Sequence, residues 1–400
     1  MTEATQPRMA RGTRLPAAVL AAALFALLAF APYASAAADP VASGSATVTL
    51  NNGFFKTLKK HGVKISKIGS AKVKGKKATF NVTGGEFDPI TGAGTLNLGG
   101  GLKFKAGKKK APVKALVIDT TKKGLFAKVA GKKVKFAKIA GYTYTRSGFG
   151  VALAIKKLKL TGAAAKQLNK KLGFKKAPKP FAGNRLMGKA NAEEQPSTVA
   201  IIPGGNTALT LSPAALQKLQ NVGPNEPGKD GPFSVKLSLI SPAGILAVGP
   251  PPTVGFPISG GSISPTASAG TVQHVGGIKL VQDLEAVGQG ETTLTMNNIW
   301  IDLTTKTASA EITITNPKNA KANLGPLGRA SIADIQLTAV SVDSGNRRIS
   351  VNGTATLQAV TAETLNAVFI TPIEEATAEP QEKFAAGDPL GSFSFTAQTQ

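Results

Sequence analysis

The chain has 400 residues, no cysteine, two histidines and a formal charge of +26. It therefore has no disulfide, no thiolate nucleophile and no thiolate metal site, and two histidines give general acid–base or metal-assisted hydrolysis little to work with. Abundant glycine and few aromatic residues favour short strands and tight turns over long helices, and the length suggests two or three domains.

In chain order, Arg8, Arg11 and Arg14 precede an apolar run from Leu15 to Phe30, and Ala34-Ser35-Ala36 supplies an A-x-A site. This predicts a secretory signal peptide over 1–36, cleaved to leave Ala37 first. No later apolar stretch reaches spanning length, so the mature protein is expected to be exported, without a transmembrane segment, and free or associated with the cell envelope.

Residues 41–174 read as the first domain. Ala46 to Leu50 alternates as a strand. Asn51 or Asn52 caps a short helix with Phe54, Phe55 and Leu58 on one face, closed by His61-Gly62. Strands are expected over 72–73, 78–82, 94–98, 102–105, 113–119, 125–129, 134–140 and 151–160, broken by glycine-rich or Lys-Gly turns. Thr161 caps a last helix that Gly173 stops. Tyr142 and Tyr144 fall in a glycine-flanked loop. Residues 175–205 read as a linker.

Residues 206–373 read as a second copy. Phe80 to Phe104 matches Phe256 to Leu280 without a gap, sharing Gly84-Gly85 with Gly260-Gly261, Pro89 with Pro265 and Lys103 with Lys279. The shared residues are mostly glycine and proline, which fix turns, so the copies are expected to share a backbone and strand order. Ser212-Pro213 opens the helix matching the first copy's. Asp88 and its counterpart Ser264 read as turn residues. Residues 374–400 read as an acidic tail, disordered or lying on the basic domain, with a strand available at 391–397. The expected fold is mainly β: two related domains, each a sandwich-like or rolled sheet with short helices near its ends.

The charge does not repeat. Residues 41–180 hold 32 Lys and Arg against three acids, whereas 206–400 hold 11 against 15. Two readings stand for the lysines. They keep edge strands soluble and unpaired, or they form a surface for polyanions.

GGEFDPITGAGTLNLGGGLKF, with VKALVID and VKFAKIA after it and LTGAAAKQLNKKLG at the end, resembles the HtaA-type domain of exported actinobacterial proteins. The resemblance covers most of 41–174 and, more weakly, 206–369. It implies two such domains and haem as the ligand, held through a tyrosine near the first helix. At that position this chain has His61, and the second copy has Val222. The resemblance thus makes His61 the candidate iron ligand in the first domain, with Lys59 and Lys60 beside it for the propionates. Tyr142 and Tyr144 are further candidates, as phenols able to bind ferric haem. His274 replaces Leu98 of the first copy, which predicts a buried, hydrogen-bonded ring. No nucleophile elbow, H-E-x-x-H or spaced carboxylate pair is evident, so no enzyme and no specific nucleic-acid partner is expected. Two functions remain: an exported envelope protein binding haem, or a structural envelope protein whose basic domain binds anionic wall polymers or lipid head groups.

Overall fold

The computed structural model describes residues 38–223 and 232–400. The expected signal peptide and the stretch 224–231 lie outside the described residues. The first half contains β1 (Asp39–Leu50), α1 (Asn52–Lys60), β2 (Val63–Ile68), β3 (Lys72–Lys74), β4 (Lys77–Phe87), β5 (Gly94–Ala106), β6 (Lys109–Asp119), β7 (Gly124–Val129), β8 (Lys132–Ile139), β9 (Tyr142–Ser147), β10 (Gly150–Leu160), α2 (Gly162–Leu172) and β11 (Leu186–Pro196). The antiparallel order β5-β6-β7-β8-β10-β11-β1-β4 closes on itself because β4 also pairs β5. The expected rolled sheet is thus an eight-stranded barrel. β2, β3 and β9 flank it on β5, β4 and β10.

The second half repeats this with β12 (Val199–Ala200), β13 (Asn206–Leu211), α3 (Pro213–Gln220), β14 (Lys236–Ile240), β15 (Gly244–Ala247), β16 (Thr253–Ile263), β17 (Gly270–His274), β18 (Gly277–Leu284), β19 (Gly290–Asp302), β20 (Thr307–Thr315), β21 (Gly325–Asp343), β22 (Arg348–Leu357), α4 (Ala359–Leu365), α5 (Thr371–Thr377) and β23 (Pro389–Gln398). The order β16-β13-β23-β22-β21-β20-β19-β17 closes a second eight-stranded barrel, since β17 pairs both β16 and β19. The strand order is that of the first. What is one strand, β5, in the first barrel is split into β17 and β18 in the second, and β8 and β9 are fused into the 19-residue β21.

Local chemistry sets the helices. Asn51 accepts the Gly53 and Phe54 N–H groups at the start of α1, Thr161 accepts Ala164 N–H at α2, and Ser212 accepts Ala215 N–H at α3, where Pro213 occupies the first turn. Gly173 ends α2 in the left-handed conformation at φ 81°. Phe54 and Leu58, one turn apart, are buried.

Three expectations need correcting. The stretch expected as a linker carries β11, which pairs β1 and β10 and completes the first barrel. Its inward residues are Met187, Ala190, Ala192 and Glu194, too small or too polar to announce a core strand. The tyrosine loop is strand β9. The acidic tail neither is disordered nor lies on the basic barrel: Glu374 pairs Lys383, Glu375 pairs Lys321, and Asp388 and Glu382 hold Lys218, while the strand available at 391–397 forms as β23 and closes the second sheet.

β1 and β10 both run antiparallel to β11, so both point the same way and the helices that follow them, α1 and α2, sit at one end of the first barrel. The same holds for α3 and α4, which follow β13 and β22, both antiparallel to β23. The barrels meet at their other ends. Phe149, in the β9–β10 turn, packs into the second barrel's core, and Ala200 N–H of β12 donates to the Asp39 carboxylate of β1.

Candidate functional site

Eight strands enclose a lumen just wide enough for side chains to fill or for one small ligand. The two copies differ in how they use it. In the first barrel Phe54 of α1 and Phe104 of β5 meet Phe181 edge-on, with centroids 6.2 and 5.6 Å apart, and Phe136 adds a further buried ring. The repeat places Ala215 where Phe54 stands, Leu280 where Phe104 stands and Ile332 where Phe136 stands. Phe384 alone corresponds to Phe181. Equivalent backbone bonds fix these matches: Thr161 N–H donates to the Phe136 carbonyl and Gln358 N–H to that of Ile332, while Asn169 and Asn366 donate their side-chain amides to the Phe181 and Phe384 carbonyls at 2.7 and 2.8 Å.

Removing three rings leaves space. The second barrel holds a cavity of about 280 Å³. Ala215, Leu280, Ile332 and Phe384 line it, with Leu294 and Met296 of β19. It runs from His274 and Thr207 up to α3 and α4. There Val360 and Leu327, 70% and 47% exposed, form an apolar rim. The lining carries few polar groups. Lys218 is held by Asp388 at 2.8 Å and by the Lys383 carbonyl at 3.1 Å. The hydrogen bond to Asp388 raises the Lys218 pKa. Burial pulls the Asp388 carboxyl upward, but the Lys218 hydrogen bond wins and holds it below its ordinary range.

His274 is buried, as its replacement of Leu98 predicts. Its Nδ1 lies 2.8 Å from the Ile299 carbonyl, which can only accept, so Nδ1 donates. Nε2 then accepts a hydrogen bond from the Thr207 hydroxyl at 2.6 Å. Burial pushes its pKa down to about 4, so the ring is neutral, with its one lone pair already engaged.

His61 caps α1. Nδ1 faces the Thr57 carbonyl at 3.0 Å, Nε2 faces the Pro178 carbonyl at 3.1 Å, and the ring stands edge-on to Phe174. Both partners accept, so neither nitrogen points a lone pair at open space. The lumen beneath is filled by the phenylalanines. Lys59 lies over the Phe55 ring at 5.0 Å, and Lys60 is exposed. Tyr142 and Tyr144 sit on β9, which leads to the barrel end opposite α1, so the structure does not bring them to His61. The Tyr144 hydroxyl donates to the Ile90 carbonyl at 2.6 Å, and its ring lies on Gly92, where a Cβ would approach within 2.3 Å. Val222, at the second copy's position for the ligand, is buried in the core. The residues that the resemblance points to therefore do not fit haem iron: no cavity adjoins His61, and in the second barrel's cavity the His274 ring is engaged, which leaves the Met296 thioether as the soft donor on the lining. Asp88 is a turn residue: its carboxylate accepts from Ile90 and Thr91 N–H, as Ser264 accepts from Ser268 and Ala269 N–H.

The cavity residues escaped the residue-by-residue reading because each is an ordinary core type. The signal was in the copies: side-chain volume falls at matched positions from Phe to Ala, Leu and Ile.

No family model matches the chain, and no curated protein matches it. Among solved structures, the chain is similar to the C-terminal domain of HtaA from Corynebacterium glutamicum, at 13% identity and a TM-score of 0.33, over 50% of this chain and 99% of that one. It is also similar to the heme binding protein HtaB from the same organism, at 13% identity and a TM-score of 0.33, over 51% and 96% of the two chains. Likeness of this degree bears on neither the lining of the cavity nor its ligand.

Proposed function

We propose that the chain is a non-enzymatic, exported binding protein whose second barrel takes a small apolar molecule into its lumen. The cavity between α3 and α4 carries this reading. A space of about 280 Å³ lies at the lower limit of ligand pockets, which run from roughly 300 Å³ upward. Apolar cavities of this kind stay dry and accept hydrocarbon guests. Apart from the Met296 thioether the lining is hydrocarbon with its polar groups engaged, so the guest is bound by area: an aliphatic chain or small ring that enters past Val360 and Leu327. Haem, which the sequence resemblance implies, is the ligand against which the reading is tested.

The experiment uses the mature protein and a medium-chain fatty acid that competes with an environment-sensitive apolar dye. One site is expected. Ala215→Phe combined with Leu280→Phe restores the first barrel's packing in the second, and should abolish binding while the protein stays folded by circular dichroism. Dye binding indifferent to the double variant would overturn the reading. So would a haem Soret shift lost in His61→Ala, which would return the function to the first barrel.

A further inference from the structure

The outer face of the first barrel carries lysines in register. Lys64 of β2 lies opposite Lys105 of β5, which lies opposite Lys110 of β6. Lys114 of β6 lies opposite Lys128 of β7, which lies opposite Lys133 of β8. All six are exposed, and Lys103 lies between the rows. Neighbouring strands are about 4.8 Å apart, so each row sets three ammonium groups across roughly 10 Å. Like charges directly opposite one another destabilise a sheet. Among the described residues, none of these lysines has an acidic partner, and the first barrel's one lysine salt bridge joins Lys122 and Asp119 elsewhere. The tail acids Glu374, Glu375, Glu382 and Asp388 are engaged in the second barrel.

Protection of edges accounts only for the ends of the rows. Lys64 lies on β2, the last strand of its sheet, and Lys133 on a stretch of β8 that pairs β7 alone, but Lys105, Lys114 and Lys128 have a paired strand on both sides and no edge to blunt. The second barrel is the internal control. The row matching Lys114–Lys128–Lys133 is Asn297–Glu311–Arg329, whose charges cancel in a 3.2 Å salt bridge. One fold thus carries a neutralised row in one copy and an uncompensated row in the other.

We infer that this face of β2, β5, β6, β7 and β8 is a docking surface for a linear phosphate polymer with one charge per phosphate, laid across the strands so that successive charges meet successive lysines. The rows contain no arginine, so they read charge density rather than the planar, bidentate geometry that arginine selects. The exposed large apolar side chains of the first barrel, Ile90 and Leu186, lie off this face. A lipid surface would need such side chains to insert, and a linear polymer does not.

The test measures binding of the mature protein to long-chain polyphosphate and, separately, to anionic phospholipid vesicles, across a salt series. Polyphosphate should bind more tightly, with log K falling linearly with log salt. Replacing Lys110, Lys114, Lys128 and Lys133 together with Gln should reduce that slope by about 3, taking the single-strand coefficient of about 0.7 per contact. Replacing the exposed helical lysines Lys56, Lys166, Lys170 and Lys171 instead should change it by less than about 1. The row variant should melt no lower than the parent, since it removes repulsion. Equal loss from both variants would mean that net charge alone binds, and preference for vesicles would mean a membrane surface. Either result overturns the proposal and leaves the lumen reading untouched.

Discussion

At the scale of a residue, His274 shows what a buried ring costs and gives. Its folded pKa of about 4 lies below the ordinary value of 6.5. Between those values the unfolded chain binds the extra proton and the folded chain does not. Its contribution to stability is therefore complete above about pH 6.5 and lost as pH falls through about 4. His274→Leu installs the first copy's residue and should flatten this acid-side loss. It also leaves the Thr207 hydroxyl without its partner, a penalty of about 1–3 kcal/mol. Adding Thr207→Val should recover most of that penalty. Urea midpoints of the parent and both variants, taken from pH 7 down to pH 4.5, check both statements. A parent and His274→Leu that lose stability in parallel would show that the ring does not set the acid limit.

At the scale of an element, the segment after α2 is held by Asn169 and locks the first lumen by inserting Phe181 between Phe54 and Phe104. Truncating a buried phenylalanine typically costs about 3–5 kcal/mol through lost burial and the cavity left behind. Phe181→Ala should cost that much in chemical unfolding, and it should also give the first barrel a dye site like the second's. A loss under about 1 kcal/mol would mean that Phe54 and Phe104 close the gap unaided. The elements themselves were largely legible. Asn51, Thr161, Ser212 and Gly173 act where cap chemistry puts them, and the alternation of β4 and β10 marks their inward faces. β11 was not legible because alanine, glycine and a carboxylate face its core. β9 was not legible because YTYTRS is polar on one side and flanked by glycine. The cavity lay one step further off, since hydrophobic pattern is blind to side-chain volume. Only subtracting one copy from the other shows that three rings are missing. His61 was placed correctly at a helix terminus, but the carbonyls facing its nitrogens come from one turn back in the helix and from Pro178, a contact the sequence does not announce.

At the scale of the molecule, the barrels join through a polar cluster sealed beneath their contact. Asp39 and Glu194 are buried, and Asp39 Oδ2, Glu194 Oε2 and Arg146 Nη2 have no hydrogen-bond partner in the protein. Arg347 of the second barrel faces Arg146 of the first, while Arg146 Nη1 donates to the carbonyl of Phe149, the residue that plugs into the second barrel's core. Burial outweighs the attraction of Arg146 and raises Asp39 to about 6. Burial, reinforced by Asp39, raises Glu194 to about 7. A carboxyl whose folded pKa lies above its unfolded value stabilises the fold fully below the unfolded pKa, and loses that contribution as pH rises through the folded one. For Glu194 this window runs from about 4.5 to about 7, so the junction should be tighter at pH 5 than at pH 8. Below pH 6.5 His274 acts with the opposite sign, so the comparison must be made against a variant that retains it. Glu194→Gln cannot ionise, and it keeps an oxygen able to accept the Val151 N–H. Relative to the parent, it should gain little at pH 5 and more at pH 8, read as the urea midpoint and as slowed hydrogen exchange at Val151. A stability difference that does not change from pH 5 to pH 8 would show that Glu194 stays ionised in the folded protein and that Arg146, rather than a proton, neutralises the junction.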